Sequence, residues 1–320
     1  MIIVAMAVFT AIGYKINWKE TAESIYNANP VWLISAAIFM LMAHFLRGWR
    51  WKILLEPTGY SVHIRRTFYS VLSGYFMNIA TARGGEFLRC ALTSKSEQIP
   101  LPILIGSVLT ERIIDVLVLV LLSFFCLAIQ FEAFFGFFNQ YIFSPIMQNL
   151  TWVIPVVLAS LFILVWLLKK NTSTQEKHTG QTTLLEKFGS GLQTIFNLKK
   201  PLVFILSSLG IWLGYCLSTY CMLKSIDTTA HLTIANALGV LIFSSLGIIL
   251  PIPGGAGVYY TIAYGLTLIY HIPENHANTF GILTVAFSNI LSMIFGGLAY
   301  LLLYFEIQQI KPITTDNVER

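Results

Sequence analysis

The sequence predicts an all-α polytopic membrane protein with about six full spans and two opposed re-entrant helical hairpins, arranged as an inverted repeat. Its composition is the first reason. Hydrophobic residues make up 56% of the 320-residue chain and charged residues 11%, whereas soluble domains carry roughly a quarter charged residues. The other two reasons are a series of apolar stretches long enough to cross a bilayer and two apolar regions interrupted by paired glycines.

Six apolar stretches are predicted to cross the membrane, and a span needs about 20 apolar residues. They are 1–14, 31–48, 101–130, 151–168, 201–223 and 279–305. The first is short, but it lacks the basic start and the cleavage site of a signal peptide. We therefore interpret it as a marginal first span.

The basic residues predict the orientation of these spans. Five Lys or Arg residues lie in 47–66 and six in 169–200, while 131–150 has none. Cytoplasmic loops carry the excess of Lys and Arg, so the first two segments are predicted to be cytoplasmic and the third to be outside. This tally also places both termini in the cytoplasm. We expect a multi-pass protein of a bacterial cytoplasmic (inner) membrane.

The two glycine-broken regions are predicted to be hairpins that enter from opposite faces. With the orientation above, 66–95 begins and ends on the cytoplasmic side, and 232–272 begins and ends outside. Gly84–Gly85 and Gly254–Gly255 would form the two tips. Two full crossings through 232–272 would give the same parity, so that alternative stays open. Broken helices within inverted repeats mark the substrate site of many transporters.

The same pattern divides the chain into two membrane halves. The first half is predicted over 1–168 and the second over 201–320. The polar segment 169–200 between them is interpreted as a cytoplasmic linker.

Charged side chains cluster around the first tip and in the span that follows it. They are Arg83, Glu86 and Arg89, then Glu111, Arg112 and Asp115. Each Arg or Asp at the centre of a membrane helix costs roughly 2.5–3.5 kcal/mol, so the cluster should face the protein interior. Glu111 and Asp115 share one helix face because they are four residues apart.

These spacings predict specific pairs. Arg83 or Arg89 could approach the acidic pair, and Arg112 could meet Glu86. Two interpretations remain open: the charges are structural ion pairs, or an arginine is left to bind a lipid phosphate or carboxylate, which guanidinium recognises bidentately. Asn78 is a candidate for the polar lining.

The stretch "HFLRGWRW" at 44–51 is interpreted separately. Arginines interleaved with tryptophans are typical of a basic and aromatic belt at the cytoplasmic membrane surface. We therefore expect Arg47 and Arg50 to lie at that surface. A lipid-headgroup site there is the alternative.

Several activities lack their sequence signatures. There is no GxxxxGK[ST] loop, no HExxH and no GxSxG, which disfavours a nucleotide site and the corresponding hydrolases. The four cysteines have no ligand spacing, so neither a metal nor a cofactor is predicted. The net charge of +5 is explained by orientation, not by a nucleic-acid partner.

Three motifs in order along the chain resemble the lysylphosphatidylglycerol synthase transmembrane-region family. They are Gly85, Glu86 and Arg89; Glu111, Arg112 and Asp115; and Pro253, Gly254, Gly255 and Gly257. The resemblance implies a lipid flippase-like fold that moves a phospholipid or modified lipid between leaflets. The chain departs from the family where Tyr259 and Tyr260 replace a usual Glu and where 279–305 lacks a charge. Those departures weaken the case for an aminoacylated lipid, and without an aminoacyl-transfer domain we expect no lipid synthesis.

The leading hypothesis is that the protein binds an anionic phospholipid or modified lipid between the hairpins and assists its passage. The arginines at 83, 89 and 112, together with Glu86, would contact the headgroup, with Glu111 and Asp115 orienting them. Glycines at the tips would let the helices break there. The alternative is a non-transporting membrane partner of a lipid- or glycan-modifying enzyme. An enzyme that uses the membrane charges themselves is a third hypothesis.

Overall fold

The computed structural model describes residues 18–81, 84–139, 194–249 and 253–309, together with the single positions 144 and 147. Regular structure within these ranges is entirely helical. The predicted spans 1–14 and 151–168 and most of the linker 169–200 lie outside the described residues.

The helices are numbered here in chain order, and their bounds are as follows. They are α1 (Trp18–Tyr26), α2 (Pro30–Leu55), α3 (Ile64–Ala80), α4 (Gly84–Glu97), α5 (Leu101–Ile129), α6 (Phe131–Phe138), α7 (Pro201–Lys224), α8 (Ile234–Ile249), α9 (Ala256–Tyr270), α10 (Glu274–Leu291) and α11 (Gly297–Gln309). Short 3-10 turns occupy Glu56–Thr58, Thr194–Asn197 and Pro253–Gly255. A π-helical turn, Ser292–Gly296, joins α10 to α11.

Four helical segments are long and apolar enough to cross a membrane. They are Pro30–Thr58, Leu101–Ile129, Pro201–Lys224 and Glu274–Gln309. Each overlaps a predicted span, which confirms a helical membrane protein. The last segment extends beyond the predicted 279–305 at both ends, and the π-helical turn Ser292–Gly296 continues α10 into α11 within it.

Helices α2 and α7 pack antiparallel and form the most extensive helix–helix contact. Their contacts define the two ends of the bundle. At one end Lys200 Nζ lies 3.5 Å from Glu56 Oε1. At the other end the N–H of Asn29 donates to the carbonyl of Ser225 at 2.8 Å. We call the first the basic end, because it also carries Arg65, and the second the opposite end.

Helices α3 and α4 form an antiparallel pair whose outer ends meet at the basic end. The N–H of His63, which precedes α3, donates to Glu97 Oε1 at 2.8 Å. Arg66 Nη1 donates to the Ser96 carbonyl at 2.8 Å, and its Nε lies 2.7 Å from Glu306 of α11. This ion-paired group holds both outer ends of the first pair against the last helix.

Helices α8 and α9 form a second antiparallel pair, whose outer ends meet at the opposite end. Gln130, which follows α5, donates to the Ala235 carbonyl at 2.8 Å and accepts from the Tyr270 hydroxyl at 2.9 Å. At the inner end Gly254 and Gly255 have φ values of 73° and 82°. That left-handed region favours glycine, which explains the paired glycines at this turn.

The two helix pairs are opposed, and the turn of the second pair contacts an arm of the first. The turn Pro253–Gly255 contacts α3, and α5 runs from the outer ends of the first pair to those of the second. The four arms contain 17, 14, 16 and 15 residues. At 1.5 Å per residue they are about 21–26 Å long. The predicted segments 66–95 and 232–272 therefore each contain a broken, antiparallel helix pair.

Candidate functional site

The acidic side chains of α5 meet two arginines of α2 in the bundle interior. Arg47 Nη1 lies 3.0 Å from Glu111 Oε1 and 2.9 Å from Asp115 Oδ2. Arg50 Nη2 lies 3.0 Å from Glu111 Oε1 and 2.7 Å from Asp115 Oδ1. Arg50 also donates to Ser208 of α7 at 3.2 Å. These contacts join three long helices through one charged group.

The prediction that Arg47 and Arg50 form a surface belt was wrong. Their exposed fractions are 4% and 0%, and Trp51 is also fully buried. A buried arginine is tolerated only when paired, and here the acidic pair of α5 supplies the partners. The sequence did contain a signal for this contact. Arg47 and Arg50, three residues apart, share one helix face, and so do Glu111 and Asp115, four residues apart.

Arg89 of α4 completes this buried cluster. Its guanidinium pairs with Glu111 Oε2 and lies 4.5 Å from the ring centroid of Trp51. The Trp51 indole in turn donates to Ser107 of α5 at 3.0 Å. The predicted approach of Arg89 to the acidic pair is confirmed, and it ties the second arm of the first helix pair to α2 and α5.

A second ion pair lies at the edge of the buried cluster. Arg112 Nε is 2.7 Å from Glu86 Oε1, and Arg112 Nη1 is 3.3 Å from Asp115 Oδ2. This confirms the predicted pairing of Arg112 with Glu86. Their side chains are 37% and 39% exposed, whereas those of Arg47, Arg50 and Arg89 are at most 5% exposed. We call Arg112 and Glu86 the outer pair.

The charges of the whole cluster do not balance. Four described arginines face three described carboxylates: Arg47, Arg50, Arg89 and Arg112 against Glu86, Glu111 and Asp115. One positive charge is therefore unmatched among these residues. The Nε–H groups of all four arginines also lack a hydrogen-bond acceptor among the described residues; that of Arg112 makes only the 2.7 Å ion-pair contact with Glu86. The cluster has a surplus of charge and donors that an anion would satisfy.

The remaining predicted residues have different surroundings. Arg83 lies outside the described residues. Asn78 Oδ1 accepts from the N–H of Gly85 at 2.9 Å, so it caps the start of α4. A Cβ on Gly85 would collide with the carbonyl of Gly74, which shows why the two arms need glycine at their closest approach. Gly84 begins α4.

The tip of the second pair contains no comparable charges. In the described parts of 232–270 there is no Lys, Arg, Asp or Glu. Gly254 offers its carbonyl to Asn289 Nδ2 at 3.1 Å, and the hydroxyl of Tyr259 donates to Asn278 at 2.8 Å. Gly257 is buried in α9, after Pro253 and Gly255 of the turn. The charged half of the site therefore belongs to α2, the first helix pair and α5.

A polar group that was not predicted from the sequence lies beside Arg47. The hydroxyl of Tyr215 lies 3.2 Å from His44 Nδ1 and 3.1 Å from the hydroxyl of Tyr75. His44 and Tyr75 stack at 4.2 Å between ring centroids, next to a small pocket that reaches Ser292 of the π-helical turn. These residues come from α2, α3 and α7, so their proximity has no local sequence signal.

The described side chains of the cluster are suited to binding an anion rather than a metal ion. No group of three His, Cys, Asp or Glu side chains is placed to hold a metal ion in the part of the chain that the structure describes. The cysteines described are free. What the cluster can do is hold an anionic group at Arg112, where the guanidinium is both paired and partly open.

Comparison with known proteins gives a consistent result. The family model described as the lysylphosphatidylglycerol synthase TM region matches residues 1–296. A UPF0104 membrane protein of Methanocaldococcus jannaschii is 24% identical over 324 residues, covering 97% of this chain and 96% of that protein. Another UPF0104 membrane protein, from Methanothermobacter thermautotrophicus, is 22% identical over 281 residues, covering 80% and 81%. No solved structure matches the chain.

Proposed function

The chain belongs to the lysylphosphatidylglycerol synthase transmembrane-region family, and from that premise we propose that it is a non-catalytic membrane protein that binds a phosphate-bearing lipid headgroup and assists its passage between leaflets. Arg112 is the headgroup ligand in this proposal. The observation that carries it is the unmatched positive charge of the cluster, together with the partial exposure of Arg112 at the edge of the cluster.

The distribution of exposure assigns different roles to the arginines. Arg47, Arg50 and Arg89 are buried and bonded to Glu111 or Asp115. Moving any of them onto a lipid would remove one of the arginines that pair with a buried carboxylate, and buried charges are tolerated only when they are paired. Arg112 is more than a third exposed. We therefore propose that the buried three position the site and that Arg112 contacts the lipid.

The arrangement of the broken helices supports a path for the headgroup. Each arm is shorter than the roughly 30 Å hydrocarbon core, so we propose that both pairs re-enter the membrane from opposite faces. Backbone breaks at that depth are tolerated only against protein or a water-filled cavity. With the basic end in the cytoplasm, Arg112 and Glu86 would face the side of the membrane from which the first pair enters.

The turn Pro253–Gly255 contacts α3, and in this proposal that contact lies on the path of the headgroup. A headgroup that leaves Arg112 would pass this contact to reach the uncharged second tip. Movement without a nucleotide site is then passive or coupled to a gradient. The bacterial cytoplasmic membrane remains our proposal for the location, and the curated relatives named above are archaeal.

A second candidate function is a non-transporting partner of a lipid- or glycan-modifying enzyme. The ion pairing of Arg47 and Arg50 favours it, because each donates to both Glu111 and Asp115. In that case the charges would only fix the bundle. It predicts that removing the exposed guanidinium has no effect on lipid binding.

Binding of a soluble phospholipid separates these candidates. We expect Arg112→Ala to weaken the binding of dioctanoyl phosphatidylglycerol by at least about tenfold, because a charge-assisted bidentate contact is lost. The measurement is titration calorimetry on detergent-purified protein, with folding checked by size-exclusion chromatography. Lys200→Ala is the control, since Lys200 pairs with Glu56 at the basic end and should leave binding unchanged. Equal affinity of wild type and Arg112→Ala would contradict the proposal.

A further inference from the structure

We infer that Glu86 is an internal competitor of the lipid phosphate: in the free protein its carboxylate occupies the place on Arg112 that the headgroup takes, and lipid binding releases the first helix tip. The inference rests on the proposed function. It adds the residue that must leave before the headgroup binds, and it assigns a conformational consequence to that exchange.

The geometry of the outer pair carries the first step. Glu86 Oε1 lies 2.7 Å from Arg112 Nε, and both side chains are more than one third exposed. Asp115 also approaches Arg112, at 3.3 Å, but Asp115 is held by Arg47 and Arg50. Glu86 is therefore the carboxylate that can leave Arg112 without uncovering a buried charge.

The chemistry of the exchange carries the second step. A carboxylate and a phosphate both present oxygens to the guanidinium fork, so one can replace the other while Arg112 stays paired. Opening the outer pair without a replacement anion would leave Arg112 with only its 3.3 Å contact to Asp115, a carboxylate that it shares with Arg47 and Arg50. The exchange is thus selective for a ligand that carries an anionic group.

The position of Glu86 in the chain carries the third step. It lies in the first turn of α4, directly after the tip, while Arg112 lies on α5. The outer pair therefore ties the tip of the first helix pair to α5. Farther along α4, Arg89 remains anchored to Glu111, so release of Glu86 loosens the tip and leaves the rest of α4 in place.

The test is the affinity of Glu86→Gln for phosphatidylglycerol. If Glu86 competes, its removal strengthens binding, and we expect a Kd about two- to fivefold lower than that of wild type, the range set by half-exposed ion pairs. Glu56→Gln is the matched control, because Glu56 also pairs with a basic residue but at the end of α2. An unchanged or higher Kd for Glu86→Gln would overturn the inference.

A second measurement separates competition from a general change in charge. Hydrogen–deuterium exchange of residues 84–90 should become faster in wild type when dioctanoyl phosphatidylglycerol is added, and should already be fast in Glu86→Gln. If the effect of Glu86→Gln reflects only the lost charge, adding lipid will not change hydrogen exchange in wild type. Unchanged wild-type exchange on lipid addition would therefore also overturn the inference. Inorganic phosphate tested in parallel shows whether the anion alone opens the pair or whether acyl chains are needed.

These outcomes distinguish the inference from the proposed function. If Arg112→Ala binds lipid as tightly as wild type, the proposed function fails and the inference fails with it. If binding needs Arg112 but Glu86→Gln binds no more tightly, only the competitor role of Glu86 is lost. Should Glu86→Gln not fold, Glu86→Asp provides the second variant, since it keeps the charge and shortens the reach to Arg112; it should also bind more tightly than wild type.

Discussion

Glu111→Gln is expected to lower the free energy of unfolding by about 3–5 kcal/mol, the largest effect of any single substitution in this account. Glu111 is fully buried and contacts three arginines, from α2 and α4. A neutral amide cannot balance them, so Arg89 would lose its carboxylate in a buried site. The apparent Tm in detergent and the monodisperse fraction by fluorescence-detected chromatography measure the effect.

The control for Glu111→Gln is Glu56→Gln, which removes a carboxylate from a more exposed ion pair. Such pairs contribute about 0–1 kcal/mol, so its Tm should remain close to that of wild type. Equal Tm values for the two variants would mean that the buried cluster does not stabilise the bundle. The role assigned to Arg47, Arg50 and Arg89 as positioning residues would then be wrong.

Gly85→Ala is expected to have the second largest effect. A methyl group there would overlap the carbonyl of Gly74 on α3, and α3 and α4 would have to separate. Overpacking of this kind costs about 1–3 kcal/mol, and the separation would also weaken the hydrogen bond from Gly85 to Asn78. We expect a lower Tm together with faster hydrogen exchange at the start of α4.

Gly136→Ala is the matched control for that substitution. Gly136 is helical, and a Cβ there would meet nothing within 4 Å. Alanine is favoured over glycine in a helix by roughly 0.5–1 kcal/mol, so this variant should be as stable as wild type or more so. A Gly85→Ala protein as stable as Gly136→Ala would show that the close approach of the two arms is not required.

The broken helix pairs could be predicted because their signals are local. Paired glycines interrupt apolar arms at 84–85 and 254–255, and the charge asymmetry of the flanking loops predicts opposite entry. The bounds of α5 and α7 also agree closely with the predicted spans. The π-helical turn at Ser292–Gly296 was not predicted; it lies against α3, where a Cβ on Gly296 would meet the carbonyl of Leu72.

The charged site was only half predictable. Pairs between neighbouring segments, such as Arg112 with Glu86, follow from spacing and proximity along the chain. Arg47 and Arg50 lie more than 60 residues before their acidic partners, and their tryptophan neighbours resemble a surface belt. Only the packing of α2 against α5 and α7 reveals that they are buried. The sequence signal for the contact is that the two arginines share one helix face and the two carboxylates share another.

The binding of a lipid by the predicted site residues remains a prediction. The buried carboxylates pair with the arginines of α2 and α4, and Arg83 lies outside the described residues. What distinguishes Arg112 from the buried arginines is its combination of exposure, contact with Glu86 and position on α5. This combination is what makes Arg112 the residue to test in a transport assay.

The most direct test of the central claim is leaflet exchange of a fluorescent phosphatidylglycerol in proteoliposomes. Wild type and Glu56→Gln should accelerate exchange to the same extent, while folded Arg112→Ala should lose most of the acceleration. The opposite result would be no exchange with any phosphate-bearing headgroup from folded wild-type protein, or exchange that Arg112→Ala leaves undiminished. Either would contradict lipid passage through Arg112, and absence of exchange would favour the non-transporting partner.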